Sequence, residues 1–343
     1  MKPTIDAERC VHGRSPIAQC RACVTACPVF ALALEDEGLT FDEDLCDGCA
    51  LCAPACPEQA IDLGLVARPF IGPPAGADSA FAACERVVPR GEPGAVTCLH
   101  AMSATQLARL HAGGIGTLVV AAAACEACRR HYGTTLAERV SHMTRLTSDR
   151  GLAPLKLRSV DTATWREERD DAGRVTRRSL FRGALRGRSA SRPSGGETPA
   201  TAGNPDTTAP AAVLGARDRA TIATFSPSID QATCDACGVC VEVCAQGALR
   251  FLPRIGDDAR GSRYEIDATR CTGCALCVDS CQPGAISLVA WGLAHPPPIP
   301  LVAGKCRMCS SPFHAVAQTA PDTSLCRICA TKTHHQKLFQ VLS

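Results

Sequence analysis

Residues 46–57 read CDGCALCAPACP, four cysteines within eleven positions followed by a proline. Nearly the same string returns at 271–283 as CTGCALCVDSCQP. The spacing C-x2-C-x2-C-x3-C joins Cys46, Cys49, Cys52 and Cys56, then Cys234, Cys237, Cys240 and Cys244, then Cys271, Cys274, Cys277 and Cys281. Thiolates two residues apart wrap around one object from three sides, and the fourth, three residues on, already points away from it.

A fourth copy looks incomplete, because Cys20, Cys23 and Cys27 fit but position 17 holds no cysteine. The residues before each copy supply the missing member. Each opens with an apolar residue, an aspartate, three residues and a cysteine: IDAERC at 5, FDEDLC at 41, IDQATC at 229 and IDATRC at 266. By that alignment Cys10 is the first ligand of copy one, and VHGRSPIAQ is an insertion between ligands one and two. Such internal repeats set the frame for any fold argument.

The spacing predicts four [4Fe–4S] clusters, each taking its fourth sulfur from the neighbouring copy. Cys10, Cys20, Cys23 and Cys56 form one set, and Cys46, Cys49, Cys52 and Cys27 the second. Cys234, Cys237, Cys240 and Cys281 form the third, and Cys271, Cys274, Cys277 and Cys244 the fourth. Zinc is the bland alternative, but it favours two separated C-x2-C pairs over triplets. The four copies pair into two modules, 1–70 and 226–292. Each has a hairpin between its copies (ALALED with LTFD around Glu37-Gly38; ALRFL with RYEID) and a closing strand, AIDLG at 60 and AISLV at 285. On these motifs the chain resembles the bacterial-type dicluster 2[4Fe–4S] ferredoxins, twice over, across about 140 residues. That resemblance implies a polyferredoxin of α+β fold. Two departures stand out: Ala245 replaces the proline after Cys244, and Gln282 separates Cys281 from Pro283.

Composition narrows the function classes. The 343 residues suffice for two or three domains, and 4% aromatics imply no single large core. A net charge of +2 gives no case for a nucleic-acid partner. MKPTIDAERC carries no apolar signal core, and the run from Ile115 to Cys125 is too short to span a bilayer, so no membrane insertion is expected. The expectation is a cytoplasmic protein whose 24 cysteines stay reduced and act as metal ligands.

Residues 79–160 follow another pattern. FAAC, AVTC and IGTLVVAAAAC are apolar runs that each end in a cysteine, giving Cys84, Cys98 and Cys125, with Cys128 following. Ser103 and Gln106 form a capping-box pair ahead of one helix, and Thr135 with Glu138 opens another. LKLRSV at 155 adds a strand. Alternating strands and helices predict a small α/β domain with a parallel sheet, whose cysteines gather at the carboxyl edge where such sheets bind ligands. Three readings stay open there: a fifth site holding a metal or an additional iron–sulfur cluster, which the ligand type favours; a redox dithiol of Cys125 and Cys128; and small unligated core residues. The arrangement is similar to the cysteine-bearing small subunit that couples some hydrogenases to heterodisulfide reductase. His100, His111 and His131 lie nearby and are read as surface residues.

Residues 174–225 read as a basic segment and a disordered linker, with seven arginines and no acids from Arg174 to Arg192 and a Ser/Gly/Pro/Thr/Ala-rich stretch over 189–221. TRRSLFRG within it is similar to the twin-arginine export motif. It is internal, with no apolar stretch behind it, so export is not expected. It is also similar to the double-arginine stretch of the ferredoxin encoded with periplasmic nitrate reductase, which implies a role in assembling a molybdenum enzyme. A solvated basic edge explains it equally well. Over 300–335, Cys306-x2-Cys309 and Cys326-x2-Cys329 have zinc-ribbon spacing. A rubredoxin-like single iron is the rival, disfavoured because Ser310 and Ala330 stand where its knuckle glycines would be.

No nucleophile–base pair, phosphate loop or dinucleotide fingerprint is visible, and GGIG at 113 precedes a strand at a helix end. No catalytic residue is assigned, and the chain reads as an electron carrier or oxidoreductase subunit rather than a stand-alone enzyme. The leading expectation is a polyferredoxin carrying single electrons to or from a partner such as a molybdenum enzyme, a hydrogenase or a similar oxidoreductase. Two others remain: an assembly factor delivering clusters or electrons to a molybdenum enzyme, and a redox subunit with chemistry at Cys84, Cys98, Cys125 and Cys128.

Overall fold

The computed structural model describes residues 3–35, 38–62, 70–71, 78–130, 133–173, 209–215, 221–254, 261–318 and 324–331. TRRSLFRG, His131, Asp36 and Glu37 lie outside the described residues. The chain divides into two compact units, Met1–Pro16 with Cys20–Ala220, and Ile17–Gln19 with Thr221–Ser343.

The first unit begins with a cysteine module. Strand Thr4–Ile5 pairs antiparallel with Ile61–Asp62, and hairpin strands Leu32–Glu35 and Gly38–Phe41 pair from Leu32↔Phe41 to Glu35↔Gly38. Between the strands lie four-residue helices, Ala22–Thr25 and Cys52–Ala55, each carrying a cysteine inward. The recurrent aspartate of the sequence has a structural reason. Asp6 Oδ1 accepts the N–H groups of Glu8 and Arg9, and Asp42 Oδ1 those of Asp44 and Leu45. The carboxylate stands in for a turn carbonyl, and Cys10 N–H then donates to the Asp6 backbone oxygen.

An α/β sheet completes this unit. Strands Ser79–Cys84, Ala95–Val96, Thr117–Ala121 and Lys156–Ser159 run parallel, and Phe70–Ile71 adds an antiparallel edge. Both capping boxes form: Ser103 with Gln106 opens helix Ala104–Ala112, and Thr135 with Glu138 opens Leu136–Asp149. The fold continues past residue 160, where the sequence reading stopped. Asp161 Oδ1 accepts from the N–H groups of Ala163 and Thr164 and starts a helix at Thr162–Gly173. That helix buries Trp165 completely, against Phe81, Val119 and Ala121. Residues 209–215 also depart from the expected disordered linker. Pro210–Val213 is a helical turn with Ala209, Ala211 and Leu214 buried, because these apolar groups find a surface on helix Ala104–Ala112. The cysteine module and the sheet share a core: Cys98 and Ala101 pack with Cys27, Cys49, Leu51 and Cys52.

The second unit repeats the cysteine module with longer strands. Phe225–Ile229 pairs antiparallel with Ile286–Ala290 over five residues, and Leu249–Leu252 pairs with Ser262–Ile266. The C-terminal segment, read from sequence as a separate ribbon at 300–335, continues this second sheet. Ile299–Lys305 pairs with Ser262–Ile266 and Pro312–Val316 pairs with Ile299–Lys305, giving four antiparallel strands. Ile299, Leu301 and Val316 bury Tyr264, an apolar contact that a free-standing ribbon would forgo. Among the described residues, no helix is long and apolar enough to cross a membrane.

Candidate metal centres

Cys10, Cys20, Cys23 and Cys56 line one cavity of about 370 Å3, with Val11, Leu39 and Ile61 among its other walls. The insertion does not displace Cys10. It folds as the helical turn Val11–Arg14, fixed where His12 Nε2 meets the Cys20 carbonyl at 2.7 Å and Arg14 pairs with buried Glu58 at 3.2 Å. Burial pushes the Cys23 thiol up to about 12, and Cys56, Cys20 and Cys10 add to the rise by charge. Burial likewise raises Cys52 to about 12, with Cys49, Cys23 and Cys27 beside it.

The second unit shows the same exchange. Burial raises Cys240 to about 12, with Cys234, Cys237 and Cys281 as the charged neighbours. Cys277 is raised by burial and then by Cys274, Cys271 and Cys244. Around Cys23, Cys52, Cys240 and Cys277 alike, at least one neighbouring sulfur belongs to the other copy of the module: Cys56, Cys27, Cys281 and Cys244. Crowded, desolvated thiolates repel one another and stay protonated unless a cationic centre offsets them. An all-sulfur donor set in an apolar pocket therefore suits an iron–sulfur cluster.

The backbone supports this arrangement in two ways. Within the triplets, left-handed residues alternate with the cysteines: Gly48 and Ala50, Ala236 and Gly238, Gly273 and Ala275. Successive inversions of this kind turn amide N–H groups inward as an anion-binding nest. After each fourth cysteine, the residue three positions on (Phe30, Gln59, Gly247 or Gly284) is also left-handed. The next N–H then donates back to the sulfur: Ala31 to Cys27, Ala60 to Cys56 and Ala248 to Cys244 at 3.3 Å, and Ala285 to Cys281 at 3.2 Å. The bond forms after Cys244 and Cys281 even though Ala245 and Gln282 stand where the proline would be.

A family of 4Fe-4S dicluster domains matches residues 18–76, and a second such family matches 233–285. The chain carries two 4Fe-4S dicluster domains. Over 65 residues it is 35% identical to pyruvate synthase subunit PorD of Thermotoga maritima, and over 62 residues 34% identical to that of Methanothermobacter marburgensis. Those stretches are 18% of this chain and 58% and 64% of the two relatives, less than two thirds of either. A putative oxidoreductase, UacF of Escherichia coli, is 46% identical over 41 residues, 12% of this chain and 6% of that protein. Iron–sulfur electron transfer is the chemistry that these domains support.

Two further cysteine groups lie outside the dicluster matches. Cys84, Cys98, Cys125 and Cys128 line a cavity of about 350 Å3 at the carboxyl edge of the parallel sheet, together with Arg86 and Arg130. His100 also lines it, with Nδ1 accepting from Leu136 N–H at 2.9 Å, which leaves the proton on Nε2. His111 instead meets the Ala153 carbonyl at 2.7 Å.

At the C-terminus, Cys306, Cys309, Cys326 and Cys329 have sulfurs all within 4.8 Å of one another, and Cys309 and Cys326 stand 3.8 Å apart. Backbone N–H groups of Cys309 and Cys326 lower the Cys306 thiol to about 6. This group borders an open cleft of about 1400 Å3 shared with Asp235, Ala236 and Cys237. Sequence reasoning found the cysteines but missed Arg130 and Arg327, whose partners are distant in sequence. It also missed the donor alanines, although an alanine four residues after each fourth cysteine recurs in all four copies and could have found them.

Proposed function

We propose that this chain is a polyferredoxin holding four [4Fe–4S] clusters and passing single electrons to or from a partner oxidoreductase. The proposed ligand sets are Cys10, Cys20, Cys23 and Cys56; Cys46, Cys49, Cys52 and Cys27; Cys234, Cys237, Cys240 and Cys281; and Cys271, Cys274, Cys277 and Cys244. The supporting observation is the exchange of the fourth cysteine, which draws Cys56 to Cys10, Cys20 and Cys23 around one cavity. When bound, the clusters supply reversible one-electron chemistry. The cysteines fix their positions, the nests and alanine N–H groups offset thiolate charge, and the apolar walls exclude water. The partner class is a multi-subunit oxidoreductase, because two relatives are pyruvate synthase subunits.

For the C-terminal group the reading is one structural zinc ion. Sulfurs about 2.3 Å from a tetrahedral centre lie about 3.8 Å apart, which suits the Cys309–Cys326 separation. The domain division follows the two units, with the sheet of 79–173 joined to the first module and the C-terminal segment to the second.

Anaerobic titration with dithionite tests the reading. Uptake of at least about four electrons per chain, returned to a one-electron acceptor without loss of iron, is the expected result. Protein that is not reduced, or that loses its iron on the first cycle, contradicts it.

A further inference from the structure

The cysteines of the parallel sheet belong to neither dicluster match, which cover 18–76 and 233–285. We infer that Cys84, Cys98, Cys125 and Cys128 hold a fifth [4Fe–4S] cluster, placed to exchange electrons with the cluster of Cys46, Cys49, Cys52 and Cys27. The inference rests on the electron-transfer reading and adds a third cluster to the first unit.

Four observations carry it. First, the four cysteines come from the ends of three parallel strands and the turn beyond them, yet face one cavity. A Cys125–Cys128 dithiol would leave buried Cys84 and Cys98 on that cavity without a role. Second, the size fits a cluster rather than one ion. Among the described residues, the C-terminal cysteines alone bring three or more metal-ligating atoms within 4.8 Å of one another. The sheet cysteines stand wider than that, as the ferredoxin cysteines do. Their cavity, about 350 Å3, nearly equals the 370 Å3 at Cys10, Cys20, Cys23 and Cys56.

Third, a cubane with four thiolates carries net negative charge, and the charged side chains that line the cavity are the arginines Arg86 and Arg130, the latter ion-paired with Asp47 and Glu85. Fourth, the site adjoins the neighbouring ligands. Cys98 packs in one core with Cys27, Cys49 and Cys52, and Arg130 reaches the Asp47 backbone oxygen at 3.2 Å, between Cys46 and Cys49. Exchange is of one electron, with no bond made or broken.

The full chain, reconstituted without oxygen, is expected to hold about 20 iron atoms and as many labile sulfides, five clusters of four. Cys125→Ser/Cys128→Ser, which changes two partly exposed residues, is expected to lose about four of each and keep its zinc. The EPR spectrum of the reduced variant should lose one cluster's share. Wild-type protein with about 16 iron atoms overturns the inference and leaves the four-cluster reading standing. So does a variant that loses one zinc ion and no iron. Wild-type protein with no labile sulfide ends both readings. If the variant fails to accumulate, the wild-type iron and sulfide count decides.

Discussion

Arg130 Nε donates to Asp47 Oδ2 at 3.0 Å, tying the carboxyl edge of the parallel sheet to the first ferredoxin loop. Its Nη1 donates to Glu85 Oε1 at 2.8 Å, and Glu85 follows Cys84. Asp47 in turn accepts the Cys49 N–H at 3.1 Å. The second unit has a counterpart: Arg327, next to Cys326, lies 3.8 Å from Asp235, which accepts the Cys237 N–H at 3.1 Å. In both units a C-D-x-C loop is tied by arginine to a second cysteine group. Burial pushes the Asp47 carboxyl up, but the hydrogen bond and charge of Arg130 outweigh it and hold it below the usual carboxylate range.

Arg130→Ala removes the cation that two poorly exposed carboxylates share, leaving Glu85 with Arg90 at 2.7 Å and Asp47 with Arg129 at 3.8 Å, and a loss of about 1–3 kcal/mol is expected. The visible iron–sulfur absorbance should bleach at a lower temperature. Removal of the positive charge should also lower the potential of the cluster assigned to Cys46, Cys49, Cys52 and Cys27. Spectroelectrochemistry checks the shift, and Arg130→Lys should recover part of it, since lysine restores the charge without the planar fork.

Gly273 separates ferredoxin cysteines at φ +79°, and a Cβ there would come within 2.4 Å of the Phe225 ring. Gly273→Ala should cost the second unit its iron, because the ring packs against the loop that carries Cys271 and Cys274. Gly284 has a similar φ of +69° with nothing within 4 Å of the added Cβ. Gly284→Ala should cost about 1–2 kcal/mol of backbone strain alone and retain full iron content. Iron analysis of the two variants separates clash from strain.

Much of this was legible in the sequence, because cluster-type ligands are set by local spacing. Asp-x3-Cys placed Cys10 with its group because the aspartate shapes the turn before the cysteine, which survives the insertion after it. The parallel sheet showed in apolar runs that end in cysteine. Helix Thr162–Gly173 did not show, since Trp165 is its one large apolar residue, Arg169 is the other buried one, and no apolar stripe at helical spacing runs along it. The strand pairing of Ser262–Ile266 with Ile299–Lys305 and the Arg130–Asp47 contact are long-range and leave no periodic trace.

Helix Thr162–Gly173 is held by Glu92, whose carboxylate accepts from Arg166 at 2.9 and 3.0 Å and from Arg169 at 2.7 Å. The Arg166 hydrogen bonds, with Arg169 assisting, lower Glu92 to about 2. A depressed carboxyl contributes its stability above the unfolded value of about 4.5, and that contribution is lost only as pH falls towards 2. Glu92→Gln should therefore speed amide exchange in this helix by the same factor at pH 8 and pH 5. A difference that disappears by pH 5 contradicts the ion pair.

The C-terminal site should bind about one zinc per chain. Cys326→Ser should abolish zinc binding, leave iron and sulfide unchanged, and speed amide exchange in strand Pro312–Val316, which flanks the Cys306–Cys309 turn. Unchanged exchange in that strand would show that the metal has no structural part there.

Labile sulfide and iron counted on the same anaerobic preparation test the central claim most directly. Sulfide and cluster iron in equal number, at least about 16 of each per chain, is the predicted result. Iron without labile sulfide, or zinc in place of iron, contradicts the claim that these repeated thiolates hold iron–sulfur cubes.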